Sequence, residues 1–177
     1  MAHISNGQGY TYGLKTFAQI QALTGMSTGE TAYCTDRNRV LTWDGTFWMC
    51  DDFVVMRNRA GATINQWDVV VVQTGGTTTE ISCVRSATPG DARVVGVAVL
   101  AAADGALCCI AVKGNWRVNV RTTTALGSEL TTSTVLGPAQ VNAGSFCKGV
   151  FGFATTSNAG PGTGTIECII IARKELV

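Results

Sequence analysis

The sequence predicts an all-β protein: a β-sandwich or barrel-like body preceded by a small module of one helix and a β-meander. Three observations carry that expectation. Val, Ile, Thr and aromatic residues, which suit a pleated and half-buried surface, recur in short runs. Gly is abundant, with 21 in 177 residues, while Pro occurs only 3 times, so turns are plentiful and strand breakers few. Windows with a sustained helical period are nearly absent. A chain of 177 residues holds one ordinary domain with a small appendage. At that length folding covers roughly 70% of the surface an unfolded chain exposes, so the core needs neither metal nor disulfide. The expected organisation is a flexible arm at 1–13, the helix-and-meander module at 14–52 and the β domain at 53–177.

The stretch MAHISNGQGYTYG (1–13) is polar, Gly-rich and aperiodic. It reads either as a disordered terminus or as an arm that orders on a neighbouring subunit, with Tyr10 and Tyr12 as its anchors. It lacks a basic start followed by an apolar run, so no signal peptide is expected. No apolar stretch is long enough to cross a bilayer. Thr16-Phe17-Ala18-Gln19 fits a capping box, Phe17, Ile20 and Leu23 recur at helical spacing, and Gly25 supplies a stop. These place a helix over 17–23. Thr31–Thr35, Arg39–Trp43 and Thr46–Cys50 form the expected meander. Asp36-Arg37-Asn38 makes its first turn, and Asp44-Gly45 its second, in the type I′ form that needs positive φ at both positions.

In the body, FVVM (53–56) is expected as a linker strand. QWDVVVVQ (66–73) and EISCVR (80–85) form a hairpin across TGGTT (74–78). RVVGVAVLA (93–101), ALCCIAVK (106–113) and NWRVNV (115–120) read as a meander, with turns at ATPGD (87–91) and Ala103-Asp104-Gly105. ALGSELTT (125–132), FCKGVFGFAT (146–155) and TIECIIIAR (165–173) complete the set. Strands at this spacing suggest a sandwich or barrel. Val95-Gly96-Val97-Ala98 is echoed by Phe151-Gly152-Phe153-Ala154, each followed by a Gly turn and a further strand. A mid-strand Gly marks a bulge or a close backbone approach, and the echo is consistent with a two-halved β domain.

The residues that bond-making chemistry needs are sparse. The one histidine, His3, stands in the N-terminal stretch, away from any rigid element. Asp36 and Asp44 are explained by turns, and Asp51-Asp52 by a solvated boundary, so no pair of carboxylates faces a shared substrate. GPGTG (160–164) lacks the Lys-Ser/Thr and helix of a phosphate loop and reads as a hairpin tip. Seven cysteines, at 34, 50, 83, 108, 109, 147 and 168, cannot all pair and form no CxxC. They read as small buried hydrophobes of a protein made in a reducing cytosol. No catalytic residue, cofactor or metal is predicted. Thirteen Lys and Arg stand against 12 Asp and Glu, which gives no electrostatic reason for a nucleic-acid or membrane partner. A weakly charged surface is better accommodated against other chains. Arg37 and Arg39 beside Trp43, Phe47 and Trp48 form the candidate interface, together with Tyr10 and Tyr12. The same aromatics also read as core, with the two arginines protecting a sheet edge.

The segment TGMSTGETAYCTDRNRVLTWDGTFWM (24–49) resembles a module found near the starts of fibres and spikes of tailed-phage virions. Leu23-Thr24-Gly25, Ala32-Tyr33-Cys34-Thr35-Asp36, Asp44-Gly45 and Phe47-Trp48 carry the likeness. The remainder, through WDVVVVQ, GDARVVGVAVLAAADGALCCIAVKGNWRVNV, ALGSELTTS, GVFGFATT and GTGTIECIIIAR, resembles the capsid-decoration (cement) proteins of tailed phages. The resemblance implies an all-β body without an active site, a homo-oligomer (often a trimer) and a place on the virion exterior against the major capsid protein, after synthesis in the host cytoplasm. The N-terminal module departs from simple decoration proteins. It keeps open a head- or tail-fibre or adaptor protein that binds a host-surface glycan through Trp43, Phe47, Trp48 or Trp116.

Overall fold

The computed structural model describes residues 10–73, 81–143, 149–159 and 164–171. Over these residues the chain is all-β apart from one short helix, and it divides into two units, Met1–Asp52 and Phe53–Val177. His3, Cys147, the TGGTT turn and most of the GPGTG tip lie outside the described residues.

In the first unit, β1 (Leu14–Lys15), β2 (Thr31–Cys34), β3 (Arg39–Trp43) and β4 (Trp48–Met49) form one sheet in that order. β1, which the sequence did not announce, lies parallel to β2. The helix α1 (Phe17–Gln21) begins as expected: the Thr16 hydroxyl accepts from the Gln19 N–H, and the Gln19 side chain accepts from the Thr16 N–H. It ends two residues before the predicted boundary, because the Leu23 N–H turns back to the Ile20 carbonyl at 3.1 Å. This three-residue tightening is common in a last turn. Phe17, Ile20, Ala32, Cys34, Leu41 and Trp48 make the core. The second turn corrects the type I′ expectation. Gly45 has φ +105, but Asp44 is not in the left-handed region. Asp44 instead accepts the Thr46 and Phe47 N–H groups on Oδ1, both at 2.7 Å, so a side chain shapes a loop that joins the paired Trp43 and Trp48.

The second unit contains two closed barrels of five strands each. The first consists of β5 (Phe53–Asn58), β6 (Val69–Val72), β7 (Ser82–Arg85), β8 (Val94–Ala98) and β9 (Leu107–Ala111). The second consists of β10 (Gly114–Val120), β11 (Glu129–Thr132), β12 (Ala139–Val141), β13 (Gly152–Ala154) and β14 (Gly164–Ile170). Three expectations change. FVVM is no linker: it belongs to β5, which pairs with β9 and β7. NWRVNV does not extend the preceding meander, because the chain reverses at Gly114 (φ +93) and opens the second barrel. AQV, too short and mixed to stand out in sequence, forms β12.

The barrels share one topology. β5 pairs with β7 in parallel and β9 antiparallel, and β10 pairs likewise with β12 and β14. The registers superpose position by position. Residues 61–70 and 121–130 follow the same course into β6 and β11. Trp67 (φ +70) and Gly127 (φ +80) occupy the same left-handed position, and each N–H donates at 2.8 Å to the equivalent carbonyl, Ala98 or Ala154. The isolated bridges Ile64–Ala102 and Thr124–Asn158 match as well. The VGVA and FGFA echo is the visible remnant of this repeat.

Closure explains its glycines. A Cβ on Gly96 would stand 1.9 Å from the Ala111 carbonyl oxygen, and one on Gly152 would stand 2.5 Å from that of Ile169. The β6–β8 register also shifts between Val70 and Val71, opposite Gly96. Bulge and close approach therefore coincide. Ile64, Val70, Cys83, Ala98, Cys108 and Ile110 fill the first barrel. Trp116, Val118 and Val120 alternate into the interior of the second.

A joint links the barrels. The Val69 N–H donates to the Gly137 carbonyl at 2.6 Å, and the Asn119 N–H to that of Trp67 at 2.9 Å. The Asn119 side chain reaches the Gln66 carbonyl at 3.0 Å and Asp68 Oδ1 at 3.1 Å. A Cβ on Gly137 would lie 2.6 Å from the Asp68 carboxyl group, and one on Gly149 2.3 Å from Gly90. The Asp91 N–H donates to Thr132 Oγ1 at 2.9 Å, and that hydroxyl donates to the Thr88 carbonyl at 2.6 Å.

Two outcomes are expected. Gly96→Ala sets a methyl against fixed backbone and lowers unfolding stability by about 3 kcal/mol in urea melts, at the upper end of overpacking costs. Asp91 accepts two side-chain bonds from Arg93, at 2.9 and 2.7 Å, and one from Ser86 at 2.7 Å, and the Arg93 guanidinium foremost holds its carboxyl down at about 2. A depressed carboxyl stabilises above its unfolded value of 3.8 and loses that contribution as pH falls through about 2. The slope of stability between pH 4 and 2 therefore flattens in Asp91→Asn, by about 2 kcal/mol over the window.

Candidate interaction surfaces

The predicted interface residues all lie in the first unit, and the structure engages most of them internally. Residues 10–13, expected at the end of an arm, run along β2: the Tyr12 N–H donates to the Thr31 carbonyl at 3.0 Å, and the Tyr33 N–H to that of Gly13 at 2.9 Å. Tyr10 packs on Tyr33 with ring centres 5.7 Å apart. Tyr12 meets Trp48 edge-on at 5.9 Å and donates its hydroxyl to Glu30 at 2.8 Å. Both anchors are thus used within the chain's own sheet.

Trp48 is 2% exposed and packs between Tyr12 and Trp43, the latter at 5.7 Å. It belongs to the core, and its ring is not presented to a partner. Trp43 and Phe47 are half-buried. Trp116 is also 2% exposed; it packs on Phe53 at 5.0 Å and donates its indole N–H to the Lys113 carbonyl at 2.9 Å, which removes it as a sugar platform. Arg39 bonds Asp52 at 2.8 Å while half its side chain stays in solvent. Arg37 is half-buried beside Asp36. What remains presentable is the rim of Trp43 and Phe47 with Arg39.

Groups with chemical capacity are occupied structurally. Asp36 accepts the Phe17 N–H at 2.8 Å and the Cys34 thiol at 3.1 Å. Burial raises its carboxyl, yet those two donors hold it below the usual range. Asp68 Oδ2 accepts the Asn65 N–H at 3.0 Å, with Arg85 4.0 Å away. Asp104 accepts the Gly61 N–H at 3.0 Å. Arg117 and Glu167 face each other at 3.0 Å across β10 and β14. None of the six described cysteines forms a disulfide. Burial, aided by Asp36, pushes the Cys34 thiol up to about 12, and burial takes Cys168 to about 12. The thiols of Cys83 and Cys108 hydrogen-bond to each other inside the first barrel, which with burial raises Cys108. The raised thiols of Cys34, Cys108 and Cys168 are poor nucleophiles. Among the described residues no group of His, Cys, Asp and Glu is arranged to hold a metal ion. An open groove of about 350 Å³ runs beside the joint, lined by Asn65, Asp68, Asn119, Leu136, Pro138, Gly164 and Thr165. Its carboxylate is already bonded on both oxygens.

Surface that sequence reasoning missed lies in the second unit. Leu126 is 72% exposed and Ile81 68%, the highest among the large apolar residues described, and Leu136, Ile169 and Ile171 are each about half exposed. Ile169 pairs with Phe153 across β13 and β14, so its aliphatic chain stands on an outward sheet face. Ile81 and Leu126 fall in the predicted strand segments EISCVR (80–85) and ALGSELTT (125–132), where nothing in the sequence marks them as exposed.

No protein-family model and no curated protein matches the chain. Among solved structures it is similar to "The crystal structure of head fiber gp8.5 N base in bacteriophage phi29", at 19% identity and a TM-score of 0.49, over 67% of this chain and 94% of that one. The likeness transfers no site residue.

Trp48→Ala is expected to remove a core ring from the first unit and destabilise it by about 3–5 kcal/mol, whereas Trp43→Ala costs under about 1.5 kcal/mol as a half-exposed position. Tryptophan fluorescence during denaturant unfolding of the two variants checks the contrast.

Proposed function

We propose that the chain is a non-enzymatic structural protein of a tailed-phage virion. It is a capsid-decoration (cement) protein that associates with itself as a trimer and binds the major capsid protein on the shell exterior. The observation that carries this reading is a contrast in how residues are used. Carboxylates and thiols are spent on internal bonds, while large aliphatic side chains stand in water. Covering one Leu or Ile yields about 1.5–3 kcal/mol, and stable joints of this kind bury upward of about 1,200 Å². The likeness of the 53–177 segments to cement proteins supports the same reading.

A head- or tail-fibre or adaptor protein is the second reading. The N-terminal unit, with its own sheet and its own core, favours it. A host glycan would then be held by Trp43 and Phe47 on the exposed rim, since Trp48 and Trp116 are buried.

Electron microscopy of virions assembled with and without the protein tests both. Cement predicts extra density on the shell and earlier rupture of protein-free capsids on heating. The fibre reading predicts density at a fibre or tail. Density in neither place overturns both readings.

A further inference from the structure

We infer that Cys83 and Cys108 are a redox-sensitive pair, which a peroxide closes into a disulfide that locks the first barrel across its interior. Cys83 stands on β7 and Cys108 on β9. These strands are not neighbours: each pairs with β5, Cys83 opposite Asn58 and Cys108 opposite Met56. Both side chains enter one core cluster and are 0% and 1% exposed. Their thiols are hydrogen-bonded to each other, so the pair spans β5 through the interior, as an inter-sheet disulfide spans a sandwich. The other buried members of the cluster are Ile64, Val70, Ala98, Ala102 and Ile110, which offer neither sulfur a competing partner. Cys109 follows Cys108 on the same strand and therefore faces the opposite way, outside that cluster.

The two thiols have different parts in the reaction. Cys108, as hydrogen-bond donor, lowers the Cys83 thiol against the effect of burial, while the same bond and burial raise Cys108. Cys83 is thus the thiolate, and the thiolate is the nucleophile. Its sulfur attacks one oxygen of hydrogen peroxide and the O–O bond breaks. Cys83 becomes a sulfenic acid, and the departing hydroxide takes up the thiol proton as water. The Cys108 sulfur then attacks the sulfenic sulfur, the S–O bond breaks, and hydroxide leaves with the Cys108 proton as a second water. Two thiols and one peroxide thereby give one disulfide and two waters. Access comes through the seam that holds Cys83. β5 and β7 share only the pairs Arg57–Ser82 and Asn58–Cys83, against five pairs between β5 and β9, and a short seam parts by local opening. The disulfide ties β7 to β9 and so closes that seam behind the oxidant. On the virion reading above, the chain passes from a reducing cytosol to oxidising surroundings, which gives the lock its occasion; the chemistry stands without that reading.

The test treats the purified, fully reduced chain with dilute hydrogen peroxide at neutral pH, blocks remaining thiols with N-ethylmaleimide in denaturant, and digests with trypsin without reductant. Mass spectrometry is expected to find peptide 60–85 joined to peptide 94–113, two hydrogens lighter than their sum, with the bond at Cys108 and the maleimide on Cys109. The joined chain is expected to run as a monomer in denaturing electrophoresis and to melt about 5–10 °C higher than the reduced chain, a gain that dithiothreitol reverses. Cys109→Ser keeps both the link and the gain, whereas Cys83→Ala and Cys108→Ala lose both. Maleimide still on Cys83 and Cys108 after oxidation, a bond through Cys109, a link between two chains, or a link without a rise in melting temperature overturns the inference. Should an Ala variant fail to fold, the Ser variant at that position replaces it, and the map of the wild-type link decides the pairing by itself.

Discussion

The second unit depends on backbone passing against backbone without a side chain between. Five strands enclose little space, and closure brings β8 onto β9 so tightly that a single methyl at Gly96 would meet the Ala111 carbonyl at 1.9 Å. The same constraint recurs at Gly152. Everything else in each barrel follows from that approach. The bulge opposite Gly96 absorbs the resulting register change. The interior is then narrow enough for Val, Ile, Ala and Cys to fill, with Trp116 as the one large ring on β10. Cysteine suits such a space as a small, polarizable hydrophobe, which accounts for the place of Cys83, Cys108 and Cys168 in the packing.

Repetition with asymmetry is the second theme. Two barrels of one topology would, with identical sequences, present identical faces and leave the choice of partner face open. Here the faces differ in volume. Asp68 sits over Gly137, and Trp67 holds a left-handed conformation that costs of the order of 1–3 kcal/mol in a non-glycine residue and is fixed by bonds to Ala98 and Asn119. Gly127 takes the same conformation without strain.

Charge plays a local part in this molecule. Asp36 ties the helix start to a turn, Asp44 shapes a loop, Asp91 fixes Arg93 beside the joint, and Arg39 closes on Asp52. Each carboxylate replaces a backbone or side-chain partner that water would otherwise supply. Thirteen basic against 12 acidic residues leave the net charge near zero.

The all-β class, the helix start at Thr16, most strand positions and the significance of Gly96 and Gly152 are legible in the residues alone. These are consequences of local chemistry: hydroxyl and amide caps, β-branched runs and residues that only a close approach explains. The scarcity of ionisable groups for catalysis is equally plain there. The pairing of FVVM in a full barrel strand, the pairing of AQV, the start of a second barrel at NWRVNV, the packing of Tyr10 and Tyr12 on their own sheet and the burial of Trp48 emerge only from the folded chain. Those outcomes depend on pairings between residues far apart in the chain, and period-two patterning carries no record of which strand lies beside which. Ile81 and Leu126 show the same limit from the other side. Both stand in predicted strand segments, where an aliphatic residue reads as core, yet both are largely exposed.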